Sequence, residues 1–338
     1  MLKPLLKKRV KNHAQMHCGI TPHDIESAEL ILFSVFARYG DGIISFKIIN
    51  EFISKYPKKR YTVLTTRQHL PYAKAIIKSE NVTFLKVNKR NPWELYRTVT
   101  YLKKEHFDLG FNPWGHGDDS EFFLTYCKKF SFFKKIDSFS KTDNLYDRVR
   151  YYLHLPVQTP KVLREPKFAS VNNILIAPIS SDVTKNIDMV SLERLIGQLK
   201  QKFDNPAITV SVPKGYEKMA KGVDQFVFSK STKASSAYVR QMGDTDLFVG
   251  VDSGPLHLAL ALEVESIAVF GPTAPFTILD NNDCVKVVRD QSLCGIFCFV
   301  KSCKDPICIK RLFEKDVFGN TYGEETTVEL EEVQCPLK

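Results

Sequence analysis

The residues best suited to chemistry lie in one short segment, Val251–Ala259, which reads Val-Asp-Ser-Gly-Pro-Leu-His-Leu-Ala. Gly254 permits a tight turn and a close backbone approach, and Pro255 suits the first position of a helix, where no amide hydrogen is needed. The unpaired N–H groups and the positive dipole end of such a helix attract a pyrophosphate. In that arrangement Asp252 is placed for sugar hydroxyls, and His257, one turn on, is placed for a phosphate.

A purely structural interpretation of this segment fits the spacing equally well. Asp252 and Ser253 also suit a helix cap, and His257 suits a core histidine that is bonded to the backbone. The spacing of these residues leaves both interpretations open.

The elements that position such residues follow a repeated strand–loop–helix order. In the N-terminal half, Leu30–Phe36 reads as a buried parallel strand, and a turn is predicted at Arg38–Gly42. A helical stripe follows and stops before Pro57, and Tyr61–Thr65 predicts the next strand. Because these strands are parallel, Asp41 belongs at a carboxyl edge, either as a functional carboxylate or as a turn aspartate bonded to its own backbone.

The same order continues to the end of the readable pattern. Further strands are predicted at 82–87, 107–112, 174–178, 208–212, 225–228, 247–251 and 266–270, the last as the closing strand. Pro156, Pro160 and Pro166 mark a linker between two series of strands and helices. The predicted fold class is therefore α/β, with two Rossmann-like domains facing a central cleft. The predicted boundaries are a basic extension at 1–27 and domains at 28–165 and 170–338.

The composition narrows the partners and the compartment. The formal net charge of +10 suits an anionic partner, namely nucleic acid, a membrane surface or a phosphorylated substrate, or it serves solubility. The first eleven residues carry five basic side chains and four Leu or Val, so they suit either an anionic bilayer or a disordered tail. No apolar run approaches the roughly 20 residues of a membrane span, and no secretory signal is evident, so we expect a cytoplasmic chain.

Four of the eight cysteines crowd together as Cys294, Cys298, Cys303 and Cys308. Their spacing matches the tight Cys-x2-Cys knuckles of structural zinc sites poorly. We therefore expect reduced thiols in a surface excursion and no metal, with a bound metal as the alternative.

Two blocks resemble the C-terminal signature of glycosyltransferase family nine, the ADP-heptose:lipopolysaccharide heptosyltransferases: Asp252–Ala259 and Ile267–Pro275. Ile31–Asp41 and Lys55–Pro57 are similar to that family's N-terminal pattern, and Phe107-Asp108-Leu109 resembles the start of one of its strands. The resemblance covers roughly residues 28 to 312. It implies the GT-B arrangement, with 28–165 on the acceptor side and 170–338 binding the nucleotide-sugar.

The resemblance also implies roles for single residues in an inverting, metal-free enzyme without a cofactor. Asp41 is the general base on the acceptor hydroxyl, and Lys185 neutralises the donor diphosphate, with a solvated surface lysine as its alternative. The remaining donor-binding residues are Ser180, Ser181, Asp252, Ser253, Gly254 and His257. His116 and Asp118 are candidate acceptor contacts, with an ordinary polar loop as the alternative.

The function that the resemblance implies is the transfer of heptose, or a related sugar, from ADP-heptose to the core of an anionic lipopolysaccharide or lipooligosaccharide acceptor. The basic excess suits such an acceptor and a peripheral contact with the inner membrane. A nucleotide-sugar epimerase on the same scaffold and a non-catalytic donor-binding subunit are the rival hypotheses. A nucleic-acid partner is not expected, because no nucleic-acid-binding motif accompanies the charge.

Overall fold

The structure is a computed structural model that describes residues 19–114, 118–133, 143–157, 162–228, 231–290, 297–298, 303, 305–314 and 316–318. The chain divides into two compact units. The first is Met1–Thr159 with Lys230–Val239, and the second is Pro160–Ser229 with Arg240–Lys338. Each unit contains one sheet in which every pair of neighbouring strands is parallel.

The sheet of the first unit has five strands in the order β3-β2-β1-β4-β5. The strands are β1 (Leu30–Val35), β2 (Arg60–Thr66), β3 (Val82–Val87), β4 (Leu109–Asn112) and β5 (Lys129–Phe132). The helices of this part of the chain are α1 (Pro22–Ser27), α2 (Tyr39–Lys55), α3 (Leu70–Ile76), α4 (Pro92–Glu105), α5 (Asp118–Leu124) and α6 (Leu145–Tyr152).

The sheet of the second unit has six strands in the order β11-β10-β9-β6-β7-β8. The strands are β6 (Asn173–Ala177), β7 (Ala207–Pro213), β8 (Asp224–Phe228), β9 (Leu247–Val251), β10 (Glu265–Val269) and β11 (Val285–Val288). The helices of this part of the chain are α7 (Met189–Lys202), α8 (Thr232–Gly243), α9 (Gly254–Ala261), α10 (Pro275–Ile278) and α11 (Ile307–Lys310), with 3₁₀ turns at Val183–Lys185, Glu217–Ala220 and Leu312–Glu314. The residues of α8 up to Val239 belong to the first unit.

Apolar runs and caps explain why these elements form where they do. Every residue of β1 and of β9 is buried, as expected of central strands covered by helices on both faces. The side chain of Asn91 accepts hydrogen bonds from the N–H groups of Trp93 and Glu94 and thereby caps α4. At the start of α1, Thr21 and Asp24 form a reciprocal capping box.

The predicted α/β fold class with two Rossmann-like sheets is confirmed, and two details of the prediction are wrong. Arg38–Gly42 is not a free turn, because α2 begins at Tyr39 and includes Asp41 in its first turn. The strand predicted at 266–270 is not the closing strand, because β11 pairs with the outer side of β10. Both β5 and β11 have only four residues, too few for a clear periodic signal.

Within the described ranges, none of the helices combines the length and apolarity that a bilayer crossing requires.

Candidate functional site

In each sheet, successive strands are added first towards one edge and then towards the other, and the change occurs between two neighbouring strands. In the first unit this point lies between β1 and β4, and in the second it lies between β6 and β9. Open parallel sheets bind ligands at the carboxyl ends of such strands, because the loops there diverge to opposite faces and leave a crevice. The loops after these four strands are therefore the places to look for chemistry.

The loop after β6 carries Lys185 on a short 3₁₀ turn that is held in shape by its own side chains. The carboxylate of Asp182 accepts hydrogen bonds from the N–H of Thr184 at 3.1 Å and from its hydroxyl at 2.7 Å. At the base of the loop, the N–H of Ile187 donates to the carbonyl oxygen of Pro178 at 3.0 Å. These bonds fix the backbone from which the lysine side chain extends.

The ammonium group of Lys185 forms an ion pair with the carboxylate of Asp252, which follows β9. The Lys185 side chain is 21% exposed and the Asp252 side chain is 7% exposed. The pair therefore joins the two loops at the reversal point of the sheet, and Lys185 is not a fully solvated surface lysine. A lysine held this way keeps further N–H donors for a second anion, since its ammonium group has three.

Ser253 and Gly254 begin α9 directly after this aspartate. Ser253 is the N-cap residue by position, but its hydroxyl makes no capping hydrogen bond. The hydroxyl oxygen is buried and has no hydrogen-bond partner among the described residues. Because the capping bond is missing, the Ser253 side chain does not cap α9. The hydroxyl also lacks, among the described residues, the bond that a buried hydroxyl normally makes. His257 lies one turn further along α9 and is 4% exposed.

The two serines predicted to contact the donor differ in their surroundings. The N–H of Ser180 donates to the side-chain oxygen of Asn186 at 2.7 Å, and its hydroxyl accepts from the N–H of Asp182 at 3.3 Å. Ser181 is exposed. Asn186 was not among the predicted site residues, although its position next to Lys185 in the same loop could have indicated it.

In the first unit, Asp41 lies in the first turn of α2, directly after β1. The hydroxyl of Ser45, which is fully buried, is 2.8 Å from the backbone oxygen of Asp41 and 3.3 Å from the backbone oxygen of Pro113, which follows β4. Ser45 thus connects the loops after β1 and β4. The first turn of a helix also favours an ionised carboxylate, because of the positive end of the helix dipole.

His69 lies beside this turn and was not predicted from the sequence. A methyl group placed on Gly42 would lie 3.5 Å from the His69 Nδ1 atom, so the imidazole contacts the first turn of α2. Nδ1 is buried and has no hydrogen-bond partner among the described residues. Burial lowers the pKa of His69 from 6.5 to about 4, so the ring is neutral at pH 7. Its place just after β2 was the signal that could have found it.

Trp114 lies in the loop after β4 and is 8% exposed. Its ring stacks on Phe133 at 5.1 Å between centroids, and its indole N–H has no hydrogen-bond partner in the described part of the chain. An indole N–H usually finds a partner when it is buried, so this one is a candidate ligand contact. Of the two predicted acceptor contacts in this loop, His116 lies outside the described residues, and Asp118 is the first residue of α5.

No group of three or more potential metal ligands occurs in the ranges that the structure describes. Cys298, Cys303 and Cys308 form no disulfide within the described ranges, and Cys294 lies outside the described residues.

Comparison with known proteins relates this geometry to a family. Residues 155–306 match the family model described as glycosyltransferase family 9 (heptosyltransferase). This match includes β6, Lys185, β9 and the start of α9. It confirms the resemblance that the sequence motifs indicated, over that part of the chain.

Several solved structures share the fold. The E. coli ADP-heptose lps heptosyltransferase II is 12% identical, with a TM-score of 0.59, covering 77% of this chain and 90% of that chain. The E. coli heptosyltransferase WaaC with ADP is 13% identical, with a TM-score of 0.53, covering 76% and 92%. The dodecameric iron-containing heptosyltransferase TibC, in complex with ADP-D-beta-D-heptose, is 13% identical, with a TM-score of 0.50, covering 85% and 72%. A search of curated protein sequences found no match.

Proposed function

We propose that this chain, which matches the heptosyltransferase family model over residues 155–306 and shares the fold of solved heptosyltransferases, is itself a glycosyltransferase of that kind. It transfers heptose, or a related sugar, from ADP-heptose to the core of a lipopolysaccharide-type acceptor, with inversion at the anomeric carbon and without a metal ion. The observation that carries the proposal is the Lys185–Asp252 ion pair beside the Ser253 hydroxyl, which is buried and has no hydrogen-bond partner in the described part of the chain.

The loops after β6 and β9 suit the donor diphosphate. Lys185 supplies a positive charge, and the start of α9 at Gly254 supplies backbone N–H groups with the positive end of the helix dipole. The Ser253 hydroxyl gains a partner when it donates to a phosphate oxygen. His257, Ser180 and Ser181 complete the proposed donor contacts, and Asp252 orients the lysine while its second oxygen remains for a sugar hydroxyl.

The chemical step is a single displacement. The acceptor oxygen forms a bond to the anomeric carbon while the bond from that carbon to the phosphate oxygen breaks. The nucleoside diphosphate leaves with the electron pair, and its developing charge is stabilised by Lys185 and the α9 N-terminus. The hydroxyl proton passes to the carboxylate of Asp41, and a positioned base of this kind contributes about 10²- to 10⁴-fold. Because the attacking oxygen and the leaving group lie on opposite sides of the carbon, the configuration inverts.

The acceptor and the compartment belong to the same proposal. The net charge of +10 suits an acceptor that carries phosphates, and such an acceptor is held at the cytoplasmic face of the inner membrane. Trp114 and His69 are neutral side chains near the loops after β4 and β2, and they are suited to contact sugar hydroxyls of that acceptor. His116 and Asp118 are kept as candidate acceptor contacts.

Donor binding and transfer are tested in two stages. ADP, ADP-heptose, UDP and UDP-N-acetylglucosamine are first compared by thermal unfolding, with and without a chelator. A ligand at a hundredfold excess over its Kd stabilises by about 2.7 kcal/mol, so ADP-heptose is expected to raise the melting temperature clearly, with or without the chelator. The transfer assay then uses heptose-deficient core lipid, with the product mass and the anomeric configuration as readouts.

Each outcome bears on a different hypothesis. A mass gain of one heptose with inverted configuration supports the proposal. Epimerisation of the donor without an acceptor supports the epimerase hypothesis, and donor binding without turnover on any acceptor supports a non-catalytic subunit. Loss of transfer in the chelator that a transition metal restores contradicts the metal-independent part alone.

A further inference from the structure

Helix α4 of the first unit presents two aromatic side chains to solvent. Trp93 is 76% exposed and Tyr96 is 65% exposed. Among the large hydrophobic residues in the described part of the chain, Trp93 has the highest exposed fraction. Single exposed apolar residues are ordinary, but two aromatic rings one helical turn apart form a patch that needs an explanation.

The patch lies on a firmly anchored element. The side chain of Asn91 accepts hydrogen bonds from the N–H of Trp93 at 3.0 Å and from the N–H of Glu94 at 3.3 Å. Glu94 in turn pairs with Arg67 and accepts a hydrogen bond from the N–H of Asn88 at 2.9 Å.

The opposite side of α4 faces the protein interior. There Leu95 and Leu102 are buried in a core cluster. The exposure of the two rings therefore follows from the packing of α4 and not from fraying of its end.

Polar or basic side chains make up the rest of the exposed face of α4. At 100° per residue, the six residues of the whole face span an arc of about 120° that is centred near Trp93. They are Trp93, Tyr96, Arg97, Thr100, Lys103 and Lys104. No carboxylate belongs to this face, because Glu94 and Glu105 are only partly exposed and Glu94 is paired with Arg67. Arg90, which is exposed just before the helix, extends the positive charge.

We propose that this face of α4 is the surface by which the protein binds an anionic lipid membrane. Tryptophan and tyrosine favour the headgroup region, where the ring body is apolar and its polar atom stays wet. Arginine and lysine are attracted to anionic lipids, and their apolar stems can lie along the interface while the charges reach the phosphates. The helix then lies along the membrane surface with Leu95 and Leu102 facing the protein.

A membrane fits these observations better than a nucleic acid or a protein partner. The aromatic and basic side chains share one outward helix face, whereas single-stranded nucleic acids bind in basic grooves with aromatic platforms. Protein interfaces are depleted in lysine, whereas this face carries both Lys103 and Lys104. The inference does not depend on the proposed sugar transfer, since vesicle binding needs neither donor nor acceptor.

The test is flotation of the full chain with vesicles of phosphatidylglycerol and phosphatidylcholine, compared with vesicles of phosphatidylcholine alone. We expect binding to the anionic vesicles only. Replacing both rings (Trp93→Ala with Tyr96→Ala) should weaken it by about tenfold or more, because the interfacial burial of two aromatic side chains is lost. Charge reversal by Arg97→Glu with Lys104→Glu should weaken it more, since each basic residue contributes about fivefold.

Matched controls come from exposed positions of the second unit. Tyr216→Ala removes an exposed tyrosine, and Lys200→Glu reverses an exposed lysine, and neither should change vesicle binding. Trp93 also reports directly, because the chain has two tryptophans and Trp114 is buried. Brominated lipids should quench Trp93 fluorescence. Circular dichroism and thermal unfolding of each variant check that the fold is kept.

Three results would overturn the proposal. The first is that the ring and charge-reversal variants bind vesicles fully, while deletion of residues 1–18 abolishes vesicle binding. That result would assign membrane binding to the basic N-terminal segment. The second is equal binding to both kinds of vesicle with no quenching of Trp93. The third is a single-stranded RNA affinity that depends on Trp93 and Arg97 while vesicle binding does not, which would assign the surface to nucleic acid.

Discussion

The reversal points of the two sheets have the same topology and opposite chemistry. In the second unit, the loops after β6 and β9 are joined by an ion pair between Lys185 and Asp252. In the first unit, the loops after β1 and β4 are joined by the neutral hydroxyl of Ser45. Next to the charged pair lies a helix start whose serine hydroxyl makes no hydrogen bond to the described residues. Next to the neutral link lies a histidine that stays uncharged at pH 7.

Under the proposed function, this difference suits the two units to two kinds of ligand. A diphosphate carries its charge on oxygens, so its site needs a cation and backbone N–H groups in fixed places. A sugar hydroxyl is neutral, so its site needs one carboxylate with few competing charges nearby. A neutral His69 meets that requirement, because a protonated imidazole would stabilise the carboxylate and weaken it as a base.

The largest expected effect is on Asp41, the proposed base. Asp41→Asn keeps the size of the side chain and removes its ability to take a proton, so the rate of transfer should fall by about 10²- to 10⁴-fold. The affinity for the donor, measured by calorimetry, should stay unchanged. Glu80→Gln, which alters an exposed carboxylate of the same unit, is the control. Equal turnover of Asp41→Asn and the control would remove the base assignment.

Lys185→Met tests the charged reversal point of the second unit. The substitution keeps most of the aliphatic stem and removes the charge, and hydrogen bonds to charged groups contribute about 1.5–3 kcal/mol. Donor affinity should therefore fall by about 10- to 150-fold, as titration calorimetry would show. Lys200→Met on the exposed side of α7 should have no effect. An unchanged Kd in Lys185→Met would mean that the lysine only pairs with Asp252.

The neutrality of His69 predicts a pH dependence of folding stability. Burial lowers its pKa from 6.5 to about 4, so between these values the unfolded chain binds a proton that the folded chain does not. The contribution of His69 is therefore complete above pH 6.5 and is lost as the pH falls towards 4. Between pH 6.5 and 5 the free energy of unfolding should drop by about 2 kcal/mol from this group alone.

Urea unfolding at the two pH values measures this drop. His69→Gln should lack the His69 part of it, whereas His23→Gln, at an exposed position of α1, should retain it. If both variants follow the native protein, the imidazole is not the group responsible.

The smallest expected effect concerns Ser45. Ser45→Ala removes the link between the first turn of α2 and the loop after β4, and a lost buried hydrogen bond costs about 1 kcal/mol. Ser54→Ala is the matched control, since its hydroxyl donates to the Asn50 carbonyl at 2.9 Å on the exposed side of the same helix. The midpoint of urea unfolding should shift for Ser45 and stay nearly constant for Ser54. Equal shifts would show that the bond to Pro113 adds nothing.

Much of the fold could be predicted because its strands and helices follow from local patterns of apolar and capping residues. Strands β3 and β9 match the predicted bounds. β9 reads Leu-Phe-Val-Gly-Val and is buried throughout, a short apolar run of the kind that predicts a central strand. The failures have local causes as well. Both β5 and β11 are four-residue strands, and the glycines around Asp41 suggested a turn where the helix had already begun.

The candidate site was less accessible to sequence reasoning. Asp252, Ser253 and Gly254 could be singled out because their spacing has a meaning within one turn of chain. For Trp114 and His69 the sequence offers only a position after a strand, and that signal is weak because a tryptophan or a histidine in a loop is common. What distinguishes them is a buried polar atom that has no partner among the described residues, and burial depends on neighbours that are distant along the chain.

The sequence by itself determined the alternation of strands and helices, the two series of strands and the helix start at Gly254. These features follow from residue types at short spacing, which act through backbone geometry and apolar periodicity. Only the tertiary structure decided that Lys185 pairs with Asp252, 67 residues away, and that Ser45 connects the loops after β1 and β4. Such contacts depend on which strands become neighbours in a sheet, and that order is set by the packing of the whole unit.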